Sequence, residues 1–169
     1  MAVSIALATV AAVMAVMAGE AALSAHNARV LRARGAVEPP DDVFRVMQWA
    51  YPVAFIAMGV EGAVSGPASP TALAVGLSVF GFAKALKAWA ISSLGSRWTF
   101  RVLVPSGDAL VTRGPYRVLR HPNYVAVLGE IVGVAVMVWA PTTGAAALAG
   151  FGWLLWRRIG IEDRALGRR

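Results

Sequence analysis

His121-Pro122-Asn123-Tyr124 stands where a basic loop meets a strongly apolar run, and most groups able to do chemistry lie close to it. Thr112-Arg113-Gly114-Pro115-Tyr116-Arg117 leads in, and Arg120 directly precedes the histidine. A proline at 122 holds His121 extended and itself suits the first turn of a helix. A helix is therefore expected to begin here, with His121 near its cap. The free N–H groups and dipole of such a helix start favour an anion, a carboxylate or a phosphate. Arg117 and Arg120 add positive charge. His121 and Tyr124 are three residues apart and can face one ligand.

A second group of candidates sits inside apolar runs: Glu20, Glu61, Lys84, Lys87 and Glu130. Ionisable side chains at membrane depth are costly and are usually paired or functional. Glu130 lies eight residues past Pro122, roughly 12 Å along a helix, and Lys84 lies at a similar depth, about 10 Å before residue 91. Glu20, Lys84, Lys87 and Glu130 can therefore share one polar pocket, with Lys84 paired to Glu130. Glu61 falls at the opposite end of its run and cannot join them. In the segment 95–104, Trp98, Phe100, Val102 and Val104 alternate with Arg97, Thr99, Arg101 and Leu103. Such a strip can lie flat on a membrane at the entrance for an amphipathic substrate. Trp98, Arg101, Lys84 and Glu130 are accordingly candidate substrate contacts. Pro105-Ser106-Gly107-Asp108 is expected to turn.

These groups must be positioned by apolar elements. Hydrophobic residues make up 58% of the 169 and charged ones only 15%; the mean hydropathy is +0.63. Average soluble domains carry about 25% charged residues. The composition is that of an all-α integral membrane protein forming one domain. Residues 1–91 are expected to make a transmembrane scaffold and 92–169 the part that carries the candidate site. Spans are expected at 3–23, 43–64, 71–91 and 124–140, with a shorter fifth at 145–156 that runs on helically through Arg157 and Arg158. Residues 65–70 and 141–144 should be uncharged turns, whereas Lys and Arg crowd the other connections and the C-terminal tail. The positive-inside rule then puts the N-terminus outside and the basic segments, with the site, in the cytoplasm. Gly62 and Gly66, and Gly129 and Gly133, have the spacing of close helix contacts. The net charge of +7 is assigned to topology and anionic lipid headgroups rather than to nucleic acid. With no cysteine and two histidines, thiolate chemistry is excluded and no metal centre is expected.

GPYR-x-LRHPNY before an apolar helix, with a later R-I-x-x-E-D, closely resembles the isoprenylcysteine carboxyl methyltransferase family, over about residues 89–166. The preceding LG-x-RWT-x-RV resembles a bacterial branch thought to methylate alkylpyrones or phenolic lipids. The resemblance implies about five transmembrane helices in a bacterial inner membrane. It also implies a cytosolic pocket for S-adenosylmethionine, with S-adenosylhomocysteine as product, formed by the loop before the fourth helix and the C-terminal helix. It makes Gly114, Pro115, Tyr116, His121, Asn123, Tyr124, Arg158 and Glu162 cofactor contacts, and Arg120 and Arg158 catalytic residues. The implied acceptor is a prenylcysteine-like, alkylpyrone or phenolic lipid entering from the bilayer and methylated on oxygen. Asp163 departs from the commoner second glutamate, and many relatives continue past the position of Arg169 with an aromatic-containing tail, so closure of the pocket here is expected to rest on other residues. Two alternatives stay open: an NADPH-dependent membrane reductase of the steroid-reductase type, and a non-catalytic membrane binding protein.

Overall fold

A computed structural model of the chain describes residues 2–40, 43–104 and 111–165. Their regular structure is helical: α1 (Ala2–Ala33), α2 (Phe44–Ser65), α3 (Pro70–Leu94), α4 (Pro122–Met137) and α5 (Pro141–Ala165), with 3-10 turns at Gly95–Arg97 and Gly114–Arg117. A single antiparallel bridge, Val37 to Val104, ties the two basic connections together. The turn expected at Pro105–Asp108 lies outside the described residues.

The first helix does not stop with its apolar run. No breaker occurs between residues 24 and 33, so α1 continues to Gly35, whose φ of +83° suits a left-handed cap. There Ala36 N donates to Leu31 O and Gly35 N to Arg32 O, both at 3.0 Å, the two bonds of a Schellman ending. The added turns bury Ser24, Asn27, Ala28 and Leu31, one helical face. This face receives the strip 98–104. Asn27 Nδ2 donates to Trp98 O at 2.8 Å and Phe100 N donates to Ser24 Oγ at 2.7 Å. The expectation that the strip lies flat on a membrane is therefore corrected: Trp98 is 2% exposed, because α1 offers it a polar, partly small-residue bed.

α4 packs closely on α3. A Cβ at Gly133 would collide with the Phe80 backbone, one at Gly76 with the Met137 backbone, and one at Gly129 with Ala83. Gly129 and Gly133 thus act as their spacing suggests. Gly62 and Gly66 do not act as a pair: Gly62 abuts the Val138 carbonyl, whereas Gly66 meets nothing and ends α2. Phe55, Met58, Ile131, Val134, Phe151 and Leu155 fill the centre where α2, α4 and α5 meet.

Residues 141–144 were expected to form a turn but make the first turn of α5. Glu61 is the reason. Its carboxylate accepts from Thr142 N (3.0 Å), Thr143 N (2.7 Å) and Thr143 Oγ1, so three donors at the helix start are satisfied by a residue 81 and 82 positions away in the chain. The connection shrinks to 138–140, where Trp139 takes φ 57° and Ala140 N bonds Ala135 O at 2.8 Å.

Two stretches, Ile5–Ala33 and Pro70–Arg97, are long and apolar enough to cross a membrane, and α4 is a shorter apolar helix of 16 residues. Large apolar side chains face outward on α2 and α3, including Trp49 at 69% and Phe82 at 78% exposure.

Candidate active site

α4 begins at Pro122 as its sequence dictates. His121 sits at its cap with φ −131° and ψ 62°. The His121 carbonyl accepts from Tyr124 N (3.1 Å) and Val125 N (3.3 Å), and Pro122 has no N–H to offer. The bare row of donors expected at this end is therefore reduced. What fills the space in front of it comes from the last turns of α5. Tyr124 donates its hydroxyl hydrogen to Glu162 Oε2 at 2.6 Å, and Arg158 Nε donates to the Tyr124 hydroxyl oxygen at 3.0 Å. His121 Nδ1 stands 3.5 Å from Glu162 Oε2, and Nε2 stands 3.5 Å from Asp163 Oδ1. The imidazole stacks on Tyr124, centroids 5.3 Å apart and planes 9° from parallel. The start of α4 and the last turns of the next helix, α5, thus meet through five polar side chains.

The electrostatics follow from this crowding. Burial pushes the Glu162 carboxyl upward, but the bonds from His121 and Tyr124 and the charges of His121 and Arg158 outweigh it, so its pKa falls below 4.5. Burial pushes the Tyr116 phenol upward, and the Glu162 charge adds to the effect. Burial alone would likewise raise Glu38, yet Arg101 and Arg32, at 2.7 and 2.6 Å, hold it below the usual range.

These side chains border a cavity of about 810 Å³. Tyr116, Arg120, His121, Asn123, Tyr124, Arg158 and Glu162 line its charged end. Trp98 and Arg101 line the wall made by the strip. From there it continues between α1 and α2 past Met14, Met17, Met47, Pro52 and Phe151. Pro52 lies within α2 and cannot donate to the carbonyl four residues back.

Not every sequence-predicted residue reaches the cavity. Gly114 and Pro115 are absent from its lining. Gly114, at φ +60°, lies against Ser93 so closely that a Cβ would collide with its hydroxyl, and Arg113 Nε bonds Ser93 O at 3.1 Å. These contacts fix the turn that carries Tyr116. Arg158 is 4% exposed and committed to protein partners: besides Tyr124, its Nη2 donates to Phe100 O and Nη1 faces Met47 Sδ at 3.7 Å. Asn123 is held by Trp98 Nε1 at 3.3 Å. Arg120 is exposed at the cavity edge.

Lys84 and Glu130 do pair, at 3.1 Å, within the expected group of four. Lys84 also meets Glu20 (2.7 Å), and Lys87 meets Glu20 (3.0 Å) and Glu130 (2.7 Å). Tyr51 donates to Glu130 at 2.8 Å. Yet it is Glu20, Lys87 and Tyr51 that line the cavity, with Lys84 and Glu130 behind them. The Ala18, Ala21, Ala25 and Ala28 face of α1, which sequence reasoning passed over, also lines it; small residues at helical spacing were the available signal.

No solved structure matches the chain. It is similar to the uncharacterized protein YpbQ of Bacillus subtilis (strain 168), 29% identical over 150 residues, which cover 88% of this chain and 89% of that one. The model of the isoprenylcysteine carboxyl methyltransferase family matches residues 74–168, a stretch that takes in most of α3, both 3-10 turns and the polar meeting of α4 with α5. On this match the chain belongs to the isoprenylcysteine carboxyl methyltransferase family, whose members are membrane methyltransferases.

Proposed function

We propose that the protein transfers a methyl group from S-adenosylmethionine to an oxygen of a lipophilic acceptor, at the cytoplasmic side of a bacterial inner membrane. The observation that carries this reading is a cavity of about 810 Å³ with one charged end and one apolar arm, toward the upper end of the size range of ligand pockets. The charged end suits a zwitterion: Glu162 offers an acceptor to an ammonium or to ribose hydroxyls, while the start of α4 offers positive potential to a carboxylate.

When bound, S-adenosylmethionine supplies an electrophilic methyl group on a sulfonium. The chain's own residues have the simpler task of positioning. Arg120 holds the acceptor oxygen and favours its anionic form. Arg158, spent on Tyr124 and Phe100, keeps α5 against the strip and so fixes Glu162. The strip 98–104 excludes water from the reacting end. An acidic hydroxyl or a carboxylate needs no strong base at neutral pH, and none is assigned. The five helices form the membrane part, with the basic connections inside.

Calorimetry with S-adenosylhomocysteine and, separately, NADPH tests the reading. Saturable binding of the former alone is expected; binding of NADPH alone would replace this reading with a reductase.

A further inference from the structure

The cavity's apolar arm carries charge in its lining. Glu20 and Lys87 are part of its lining, beside Met14, Met17, Tyr51 and Pro52. Lys87 is 2% exposed, and its ammonium has three donors. Glu20 Oε2 accepts one at 3.0 Å, and Glu130 Oε1 lies 2.7 Å away as the second ion-pair partner. Among the described residues no other oxygen accepts from it, and its remaining neighbour is the Tyr51 ring, 5.8 Å to the centroid. A buried donor with no acceptor is costly unless a ligand or water completes it. The cluster is also balanced, two lysines against two glutamates, each lysine within 3.1 Å of both carboxylates. A ligand bearing a full charge would upset that balance in a medium of low dielectric. A neutral oxygen would not: a carbonyl accepts from Lys87, and a hydroxyl can also donate to Glu20.

We propose that Glu20 and Lys87 form a recognition site for an uncharged carbonyl or hydroxyl oxygen on a lipid lying in the apolar arm. This moves the contact expected of Lys84 and Glu130 to the neighbouring pair that meets the cavity. It rests on the proposed function only in taking that lipid for the methyl acceptor. The acceptor then carries two oxygens, one held for methylation at Arg120 and a second, neutral one deeper in the arm.

The test is saturable binding of tritiated 2-tridecanone to the purified full chain, with unlabelled competitors of similar length. Displacement by 2-tridecanone and 2-tridecanol, and at least tenfold poorer displacement by tridecane, dodecanoate and dodecylamine, is expected. The E20Q/K87M double variant keeps the charges balanced and should bind at least tenfold more weakly, about 1.4 kcal/mol. K84M/E130Q removes the same charges from behind the wall and should stay within threefold of wild type. Absence of saturable binding, equal displacement by tridecane, or equal loss in both double variants would overturn the proposal. If E20Q/K87M does not fold, the wild-type competition series alone decides. Calorimetry with S-adenosylhomocysteine on the same preparations separates the two ideas. Ketone binding without it keeps the lipid site and ends the methyltransferase reading; the converse ends the lipid site.

Discussion

Glu162 ties α5 to the start of α4, with Tyr124 at 2.6 Å and His121 at 3.5 Å. Its folded pKa is depressed below 4.5, so it contributes stability that is present above the ordinary carboxylate range and lost as pH falls through the folded value. Thermal unfolding scanned from pH 6 to pH 3 should show a loss of stability below about pH 4.5 that Glu162→Gln flattens. Glu162→Gln and His121→Ala should each weaken S-adenosylhomocysteine binding by about tenfold or more, the worth of a charge-assisted bond, measured by calorimetry; unchanged affinity would remove both from the cofactor site. Arg120 carries no structural bond comparable to those of Arg158. Arg120→Ala should therefore keep the wild-type melting temperature and lose about a hundredfold in turnover. His121, Tyr124 and Arg120 could be singled out from the helix start alone, and Glu162 and Arg158 only through the family resemblance, since a short connection makes α5 a neighbour of α4 without saying which of its side chains face the start of α4. The ranking of the buried charges misled for a physical reason. Depth along a helix fixes how far a side chain lies from the interface, but not which side of a cluster meets a cavity.

At the scale of elements, the α3–α4 contact has no room for side chains. Gly133→Leu should overpack it and cost about 1–3 kcal/mol, read as lowered thermal stability and folded yield. Gly150, with nothing within 4 Å of an added Cβ, should accept alanine with a gain of about 0.5–1 kcal/mol. Helix starts were legible where a local residue sets them, as at Pro122; the α3 start was placed within one residue, although its cap, the Ser69 hydroxyl accepting from Ala72 N at 3.1 Å, was not named. The α5 start was not, because Glu61 supplies its cap from another helix. The length of α1 was missed because a span ends where apolarity ends, whereas a helix ends where a breaker stands. The alternation in 95–104 was read as extended, but Gly95–Arg97 form a 3-10 turn, and the partner of the strip that follows, the polar face at Ser24 and Asn27, belongs to that same overlooked extension.

At the scale of the molecule, the outward apolar faces of α2 and α3 and the segregation of arginine predict orientation. The chain contains no cysteine, so single substitutions report topology cleanly. Ser65→Cys should react with a membrane-impermeant maleimide in intact cells, and Arg34→Cys only after permeabilisation; the reverse pattern would invert the topology and move the site outside. The central claim is that the charged end and the apolar arm serve one reaction. Its most direct test is incubation of the purified protein, in lipid nanodiscs, with methyl-tritiated S-adenosylmethionine and a total lipid extract, counting label in the organic phase. Wild type should transfer label to an extractable lipid, and Arg120→Ala should not. Binding of S-adenosylhomocysteine without any extractable label, or equal transfer by Arg120→Ala, would contradict the account.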